Sequence, residues 1–324
     1  CVSQTPSSPA PQRIPRSAIV LAALAAAAIP GLDVVATRHP RGADDDVDFT
    51  GLLDAAGDSW LVRAPRSASA GAALESESAL LRALATVIDR EHLPFDVMRP
   101  AGFADLPEGG RAVVSRALAG HSVDVFSLTG GPGLAASLGM SLAALHEIEA
   151  TLAEDVGLPV YSAADCRTRL QAEIDQMAQT SRVPLVLLKR WERALEDVRC
   201  WRFRSTFVHG DLQAERVLVE GADVVAFTGF TASHVGDPAI DLAWLLASAP
   251  EDAVESILEA YALGRVEGGS GMLVERAQLL SEVALGRWLM HGIRHQDPVV
   301  TAEAEEMLAD LADAVAEAPE IVEA

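Results

Sequence analysis

The chain has 324 residues, half of them hydrophobic, which is enough to bury a sizeable core in one or two domains. Its 47 acidic and 25 basic residues give a formal net charge of −22. This charge disfavours nucleic acid and anionic membrane as partners, because phosphate-binding surfaces need clustered cations. It favours a cationic ligand, although a generally acidic surface or a salt-adapted host explains it equally well. The three cysteines show no CxxC or Cys/His spacing, so we expect reduced thiols in a cytoplasmic protein.

The first 29 residues divide into two segments of different character. Residues 1–16 are rich in Ser and Pro and have no periodicity, which predicts a disordered leader. Residues 17–29 are almost entirely apolar, but thirteen residues are too few to cross a bilayer. We therefore predict an Ala-rich helix that Ser17 caps and Pro30-Gly31 ends, with no membrane-spanning segment.

The next hundred residues have the pattern of strands around one helix. Strand-like runs occur at 32–38, 48–54, 59–64 and 111–117, separated by polar turns. Between them, residues 74–90 repeat apolar side chains at helical spacing. From residue 133 onward the pattern is mainly helical. It predicts helices over 134–149, 165–181, 184–195, 241–249, 251–263, 272–291 and 302–316. These patterns predict an α+β protein with a β-rich first part.

A strand, a sharp turn and a second strand follow one another at 207–220. The sequence FVHGDL at 207–212 is an apolar strand that runs into a turn presenting His209 and Asp211. Position 216 follows Asp211 by five residues, which is the spacing of the catalytic loop of kinases. In that loop an Asp orients the substrate hydroxyl and accepts its proton, and the residue five places later holds a metal. Asp211 and His209 are therefore the catalytic candidates.

Two further motifs carry a resemblance to a family. The sequence GDPAIDLA at 236–243 resembles a signature of the aminoglycoside and macrolide phosphotransferases, and WLVRAPR at 60–66 resembles a segment of the macrolide enzymes. The resemblance implies a bilobal protein-kinase-like fold. It also implies transfer of the γ-phosphoryl group of GTP or ATP, with Mg²⁺, to a hydroxyl of a small molecule. That acceptor would be a macrolide or a cationic amino-sugar antibiotic.

The same resemblance implies the domain limits and a nucleotide site. We expect an N-lobe over 17–117, a hinge over 118–121 and a C-lobe over 122–324. Arg63 would take the place of the lysine that holds the nucleotide phosphates, and Glu77 would pair with it. Glu77 is alternatively a solvated helix carboxylate, with Glu75 as an equally acidic neighbour. The backbone of Ala117 and Ala119 would receive the purine.

The C-terminal helices would line the acceptor cleft in such a fold. Four side chains on them are candidates for contact with the acceptor: Tyr261, Glu282, Trp288 and His291. Each of the four is also compatible with an ordinary core or surface role. His146 is interpreted as a helix-packing residue, and Asp241 as an internal brace of the catalytic loop.

The chain departs from the family pattern where magnesium would bind. Arg216 stands where the family has Asn, and Gly229 stands where it has a metal-binding Asp. Magnesium prefers carboxylate, amide and water oxygens, and a guanidinium repels it. No metal ligand is therefore assigned. Two hypotheses follow: a small-molecule phosphotransferase with impaired activity, or a catalytically inactive, pseudokinase-like binding protein.

Overall fold

The computed structural model describes residues 15–38, 46–266, 271–316 and 321. The predicted leader falls almost wholly outside these residues. Its last residue, Arg16, is described, and its guanidinium donates to Asp48 Oδ2 over 2.9 Å. Within the described residues the chain forms two compact units. The first contains the residues up to Arg82 and Met98–Leu118, and the second contains Ala83–Val97 and the residues from Ala119 onward.

Strands outnumber helices in the first third of the chain, and helices dominate afterwards. The strands are β1 (Val34–Arg38), β2 (Val47–Asp54), β3 (Ser59–Pro65), β4 (Asp96–Val97), β5 (Pro100–Asp105), β6 (Arg111–Arg116), β7 (His121–Ser122), β8 (Thr206–Val208), β9 (Val217–Glu220), β10 (Asp223–Phe227) and β11 (His234–Gly236). The helices are α1 (Ala18–Ala28), α2 (Ala68–Glu91), α3 (Leu134–His146), α4 (Ala150–Asp155), α5 (Ala163–Gln179), α6 (Leu185–Glu196), α7 (Ala243–Ser248), α8 (Glu251–Gly264), α9 (Leu273–His295) and α10 (Pro298–Val315).

The first unit is built on an antiparallel sheet in the order β1-β2-β3-β6-β5. Side chains of β2 alternate strictly between partly and fully buried positions, and those of β3 alternate over most of the strand, as expected when one face of a sheet covers a core. Helix α1 packs on this core through Leu21 and Ala25, against a cluster that includes Trp60 and Val62. The side chain of Ser17 caps the helix by accepting from the N–H of Val20, as predicted.

The second unit contains two small sheets and most of the helices. Strands β4-β10-β9-β7 form one sheet, and β11-β8 form the other. Helix α3 lies so close to α8 that a Cβ at Gly139 would be 2.2 Å from the carbonyl oxygen of Ile257. Glycine is therefore required at this contact. None of the described helices is both long and apolar enough to cross a bilayer.

The predicted elements are present, with shifted ends. Predicted strands at 32–38, 48–54, 59–64 and 111–117 correspond to β1, β2, β3 and β6. Helix α2 begins six residues earlier than predicted, because the Ser- and Ala-rich stretch from Ala68 continues the helix rather than forming a loop. The predicted helix over 241–249 is instead a short 3-10 turn, Pro238–Asp241, followed by α7.

Candidate active site

The catalytic candidates lie in the tight turn that follows β8. Gly210 at the centre of this turn has φ +84°, and a Cβ there would be 2.4 Å from the carbonyl oxygen of Ala232. Both observations require glycine at this position. The turn therefore presents Asp211 from a backbone that has little freedom to move.

Asp241 braces the turn from inside the protein, as predicted. Its carboxylate is fully buried and accepts hydrogen bonds from the backbone N–H groups of His209 at 2.7 Å and Gly210 at 2.8 Å. The ring of His146 lies 3.1 Å from the same carboxylate. Burial opposes ionisation of Asp241, but the hydrogen bonds from His146 and from the backbone N–H of Gly210 outweigh it, so its pKa falls below the ordinary value. The brace is therefore a charged carboxylate.

His209 acts as a positioning residue in this geometry. Its ring is fully buried, its Nε2 lies 2.8 Å from the carbonyl oxygen of Thr228, and its Nδ1 lies 3.3 Å from the backbone nitrogen of Asp211. These partners assign Nε2 as the donor and Nδ1 as the acceptor, which is a neutral ring. Burial also lowers the pKa of His209. The ring therefore holds the backbone at Asp211, and a catalytic role for His209 remains a prediction.

Asp211 is paired with the arginine at the expected metal position. Arg216 Nη1 lies 2.5 Å from Asp211 Oδ2 and 3.2 Å from the carbonyl oxygen of Gly229. A Cβ at Gly229 would lie 3.1 to 3.3 Å from Cδ, Nε and Cζ of Arg216. The arginine side chain therefore lies in the space that a side chain at 229 would enter. The guanidinium of Arg216, itself at one of the two expected metal positions, therefore contacts the backbone of the other position and the carboxylate of Asp211.

These residues do not fit a magnesium ion. Asp211 is already paired with a cation, the carbonyl oxygen of Gly229 accepts from that same cation, and no carboxylate stands at 229. Across the described residues, no group of three or more His, Cys, Asp or Glu side chains is arranged to hold a metal. The donor set at this turn is that of an ion pair and not of a hard-cation site.

The predicted ion pair of the first unit is present. Arg63 Nη1 lies 2.6 Å from Glu77 Oε2, and the Glu77 side chain is almost completely buried. The neighbouring Glu75 pairs instead with Arg111, so the two carboxylates have different partners. Arg63 Nη2 is buried and has no hydrogen-bond partner among the described residues. A phosphate oxygen is a suitable acceptor for this unused donor, so Arg63 fits a nucleotide.

Ala117 and Ala119 are the two residues whose backbone was predicted to contact a purine. Both residues are exposed. The backbone N–H of Ala117 donates to the carbonyl oxygen of Ser59 over 2.9 Å, so it is already used. The contact of a purine with Ala117 or Ala119 remains a prediction.

Two of the four acceptor candidates are internal. Tyr261 is 2% exposed and its hydroxyl lies 2.8 Å from Nδ1 of His146. Glu282 is 5% exposed and accepts from Arg190 at 3.1 Å and from Trp191 Nε1 at 3.0 Å. Their polar atoms are satisfied within the protein, which favours the structural alternative for both.

The other two candidates are exposed on α9. Trp288 is 38% exposed, and its ring stacks on that of His291 with centroids 5.2 Å apart. The ring of His295 lies next along the same helix face, 4.1 Å from His291. Contact of Trp288 or His291 with an acceptor remains a prediction.

Sequence reasoning did not anticipate the charge pairs that Arg276 and Arg216 form in the second unit. Arg276 is 1% exposed and donates to Asp237 Oδ2 over 2.8 Å, which ties α9 to the GDPAIDLA segment. An arginine within an otherwise apolar helix stripe was the available signal. The pairing of Asp211 with Arg216 was also not anticipated, although opposite charges five residues apart around a short turn made it possible.

The described architecture is that of known antibiotic phosphotransferases. Macrolide 2'-phosphotransferase MphH from Brachybacterium faecium is 25% identical, with 90% of this chain and 96% of that chain aligned and a TM-score of 0.74. Macrolide 2'-phosphotransferase type I is 23% identical over 87% of this chain and 91% of that chain, with a TM-score of 0.67. The GDP complex of aminoglycoside 2'-phosphotransferase-IIIa is 17% identical over 92% of this chain and 99% of that chain, with a TM-score of 0.74. The predicted kinase-like α+β fold, with a β-sheet N-terminal region and a helical C-terminal part, is therefore confirmed.

One related sequence and one family model also match the chain. The Bacillus subtilis protein YcbJ, itself uncharacterised, is 26% identical over 121 residues, which are 37% of this chain and 40% of YcbJ. The alignment thus spans less than half of that relative. Residues 36–279 match the phosphotransferase enzyme family APH, which is well over half of the chain. The chain therefore belongs to the APH phosphotransferase enzyme family.

Proposed function

We propose that this chain is a cytoplasmic, kinase-fold binding protein for small molecules whose magnesium-dependent phosphoryl transfer has been lost. One observation carries the proposal: the guanidinium of Arg216 is paired with Asp211 and hydrogen-bonded to Gly229. This ion pair engages the Asp211 carboxylate, which is the group that would orient an acceptor hydroxyl. Catalysis of phosphoryl transfer depends mainly on positioning and on neutralisation of phosphate charge. Loss of the metal positions therefore removes most of the stabilisation of the transition state.

Charge at this turn also argues against productive triphosphate chemistry. The pair of Asp211 with Arg216 has no net charge, whereas a magnesium-loaded kinase site presents excess positive charge to the phosphates. GTP or ATP held by Arg63 in the first unit would still be a bound ligand. It would not be activated for transfer by the residues of the second unit.

The proposed ligand class follows from the relatives and from charge. Related structures contain kanamycin and gentamicin, and the present chain carries a net charge of −22. Cationic amino sugars are therefore the first ligands to test, followed by macrolides. An exposed Asp211 oxygen is available to such a ligand, because the ion pair with Arg216 uses Oδ2 and leaves half of the side chain exposed.

The second candidate is an active transferase. It is favoured by the intact brace at Asp241, which holds the turn and leaves Asp211 half exposed. In that case another group of the protein or the substrate would have to supply the missing neutralisation.

Thermal stability with nucleotides separates the two candidates. We would measure the melting temperature with GTP and with ATP, each with Mg²⁺ and with EDTA, because a ligand that binds only the folded state must stabilise it. The binding-protein proposal expects a shift that does not require Mg²⁺, or no shift, together with no transfer of phosphate to kanamycin or a macrolide. A shift that requires Mg²⁺, accompanied by turnover on any of these acceptors, would overturn it.

A further inference from the structure

We infer that His291 and His295 form a binding site for a transition-metal ion on the exposed face of α9. Residues four apart lie on the same face of a helix, one turn above the other. Both side chains are exposed, and their ring centroids are 4.1 Å apart with the planes inclined by 32°. Two imidazoles on one accessible face make a bidentate site for an ion that prefers nitrogen ligands.

The donor atom of His295 is fixed by a hydrogen bond. Its Nδ1 lies 3.0 Å from the backbone carbonyl oxygen of His291, so Nδ1 carries the hydrogen and Nε2 keeps the lone pair. A histidine that binds metal usually donates its other ring N–H to a carbonyl or carboxylate in this way. The ring is therefore held in the tautomer that metal binding needs.

The second ring and the end of the helix add to this arrangement. Trp288 stacks on His291 with an interplanar angle of 7°, which restricts the ring orientation before any ion binds. His295 is the last residue of α9, where the aligned backbone dipoles give the helix end a partial negative charge that favours a cation. The nearby Arg287 is paired with Glu173 at 2.9 Å, so part of its opposing charge is neutralised.

The chemistry of the site limits which ions it would take. Imidazole suits Zn²⁺, Ni²⁺ and Cu²⁺, whereas Mg²⁺ and Ca²⁺ require oxygen ligands. Within the described ranges no third His, Cys, Asp or Glu joins the pair. Water would complete the coordination, so the site is open and its ion exchangeable. It lies on a different element from the Asp211 turn and does not depend on the proposed function.

Titration of the untagged full-length chain with Ni²⁺ tests the inference. Isothermal calorimetry would compare the unmodified chain with His291→Ala, His295→Ala and the control His121→Ala. His121 is also exposed and its Nδ1 also lies near a carbonyl oxygen, that of Ser122 at 3.1 Å, yet among the residues that the structure describes no second histidine ring packs on it. We expect each variant of the pair to weaken Ni²⁺ binding by about tenfold or more. The control should bind like the unmodified chain.

A second readout keeps the test independent of calorimetry. Ni²⁺ should raise the melting temperature of the unmodified chain and of His121→Ala, and should have no such effect on His295→Ala. Because the two side chains are exposed, all variants should melt at similar temperatures without metal, which checks that they fold. Equal Ni²⁺ affinity in His291→Ala, His295→Ala and His121→Ala would overturn the inference.

Discussion

Restoring both family residues at the metal positions should restore a response to magnesium. The change is Arg216→Asn combined with Gly229→Asp, which removes the guanidinium and supplies a carboxylate. At an effective dielectric constant of 20, a divalent ion 4 Å from a guanidinium is repelled by about 8 kcal/mol before further screening by solvent. The Arg216 side chain is only 24% exposed, so screening does not remove this repulsion completely. Removal of Arg216 is therefore the decisive half of the change.

The structure also predicts why both changes are needed. A side chain at 229 would begin 3.1 to 3.3 Å from the Arg216 side chain, so Gly229→Asp alone should form an ion pair with Arg216 and leave no free ligand. Gly229 has φ +80° and ψ +49°, a left-handed conformation that costs a residue with a side chain about 1–2 kcal/mol. Loss of the partly exposed pair with Asp211 should cost at most about 1 kcal/mol. The double variant should therefore remain folded.

The assay is the shift in melting temperature with GTP or ATP, in the presence of Mg²⁺ or EDTA. We expect a Mg²⁺-dependent shift in the double variant only. Arg216→Lys is the matched control, because it keeps the positive charge and should remain insensitive to Mg²⁺. A folded double variant without any Mg²⁺-dependent shift would refute the reasoning and would indicate that the nucleotide site has changed beyond the metal positions.

Three further predictions concern the stability of the fold and are checked by chemical denaturation. Asp241→Asn should lower the free energy of unfolding by about 3 kcal/mol or more, because it breaks a buried charged network. The pKa of Asp241 is lowered on folding, so its carboxylate contributes to the free energy of unfolding above the ordinary pKa of 3.8, and this contribution is lost as the pH falls below that value. The Asp241→Asn variant should lack this loss of stability in acid. Glu282→Gln should cost about 3–5 kcal/mol by removing the carboxylate charge that pairs with the buried guanidinium of Arg190, and a cost below 1 kcal/mol would contradict that. Gly139→Ala should cost about 1–3 kcal/mol through its clash with α8, whereas Gly71→Ala, with its nearest atom at 3.6 Å, should be neutral or stabilising by up to about 1 kcal/mol.

Local physical signals explain which parts of the fold were predictable. Ser17 before an Ala-rich run and Pro30-Gly31 after it gave both ends of α1 to within about a residue, because caps act on neighbouring groups in the chain. The start of α2 was missed because Ser and Ala are compatible with either a loop or a helix there. Tertiary packing determines where α2 begins, and the pattern of the sequence carries no information about that packing.

The parts of the candidate site whose backbone is fixed by a motif were predictable. The pairing of flexible charged side chains was not. The turn at Gly210 and the brace from Asp241 follow from the motifs at 207–212 and 236–243. The pairing of Arg63 with Glu77 was anticipated from the family resemblance. By contrast, the side chain of Arg216 has several rotatable bonds, and only the structure shows that it turns towards Asp211.

Burial separates the residues that maintain this fold from those that would carry its chemistry. Asp241 and His146 are fully buried and hydrogen-bonded, so replacing either leaves polar groups unsatisfied and lowers stability. Arg216 and Asp211 are partly exposed, and the Arg216 side chain lies 3.1 to 3.3 Å from where a Cβ at Gly229 would stand. Charge at these partly exposed positions can therefore be exchanged at little cost in stability, while the buried brace keeps the turn in place. Similarity of fold within this family consequently carries information about the brace and very little about whether phosphate is transferred.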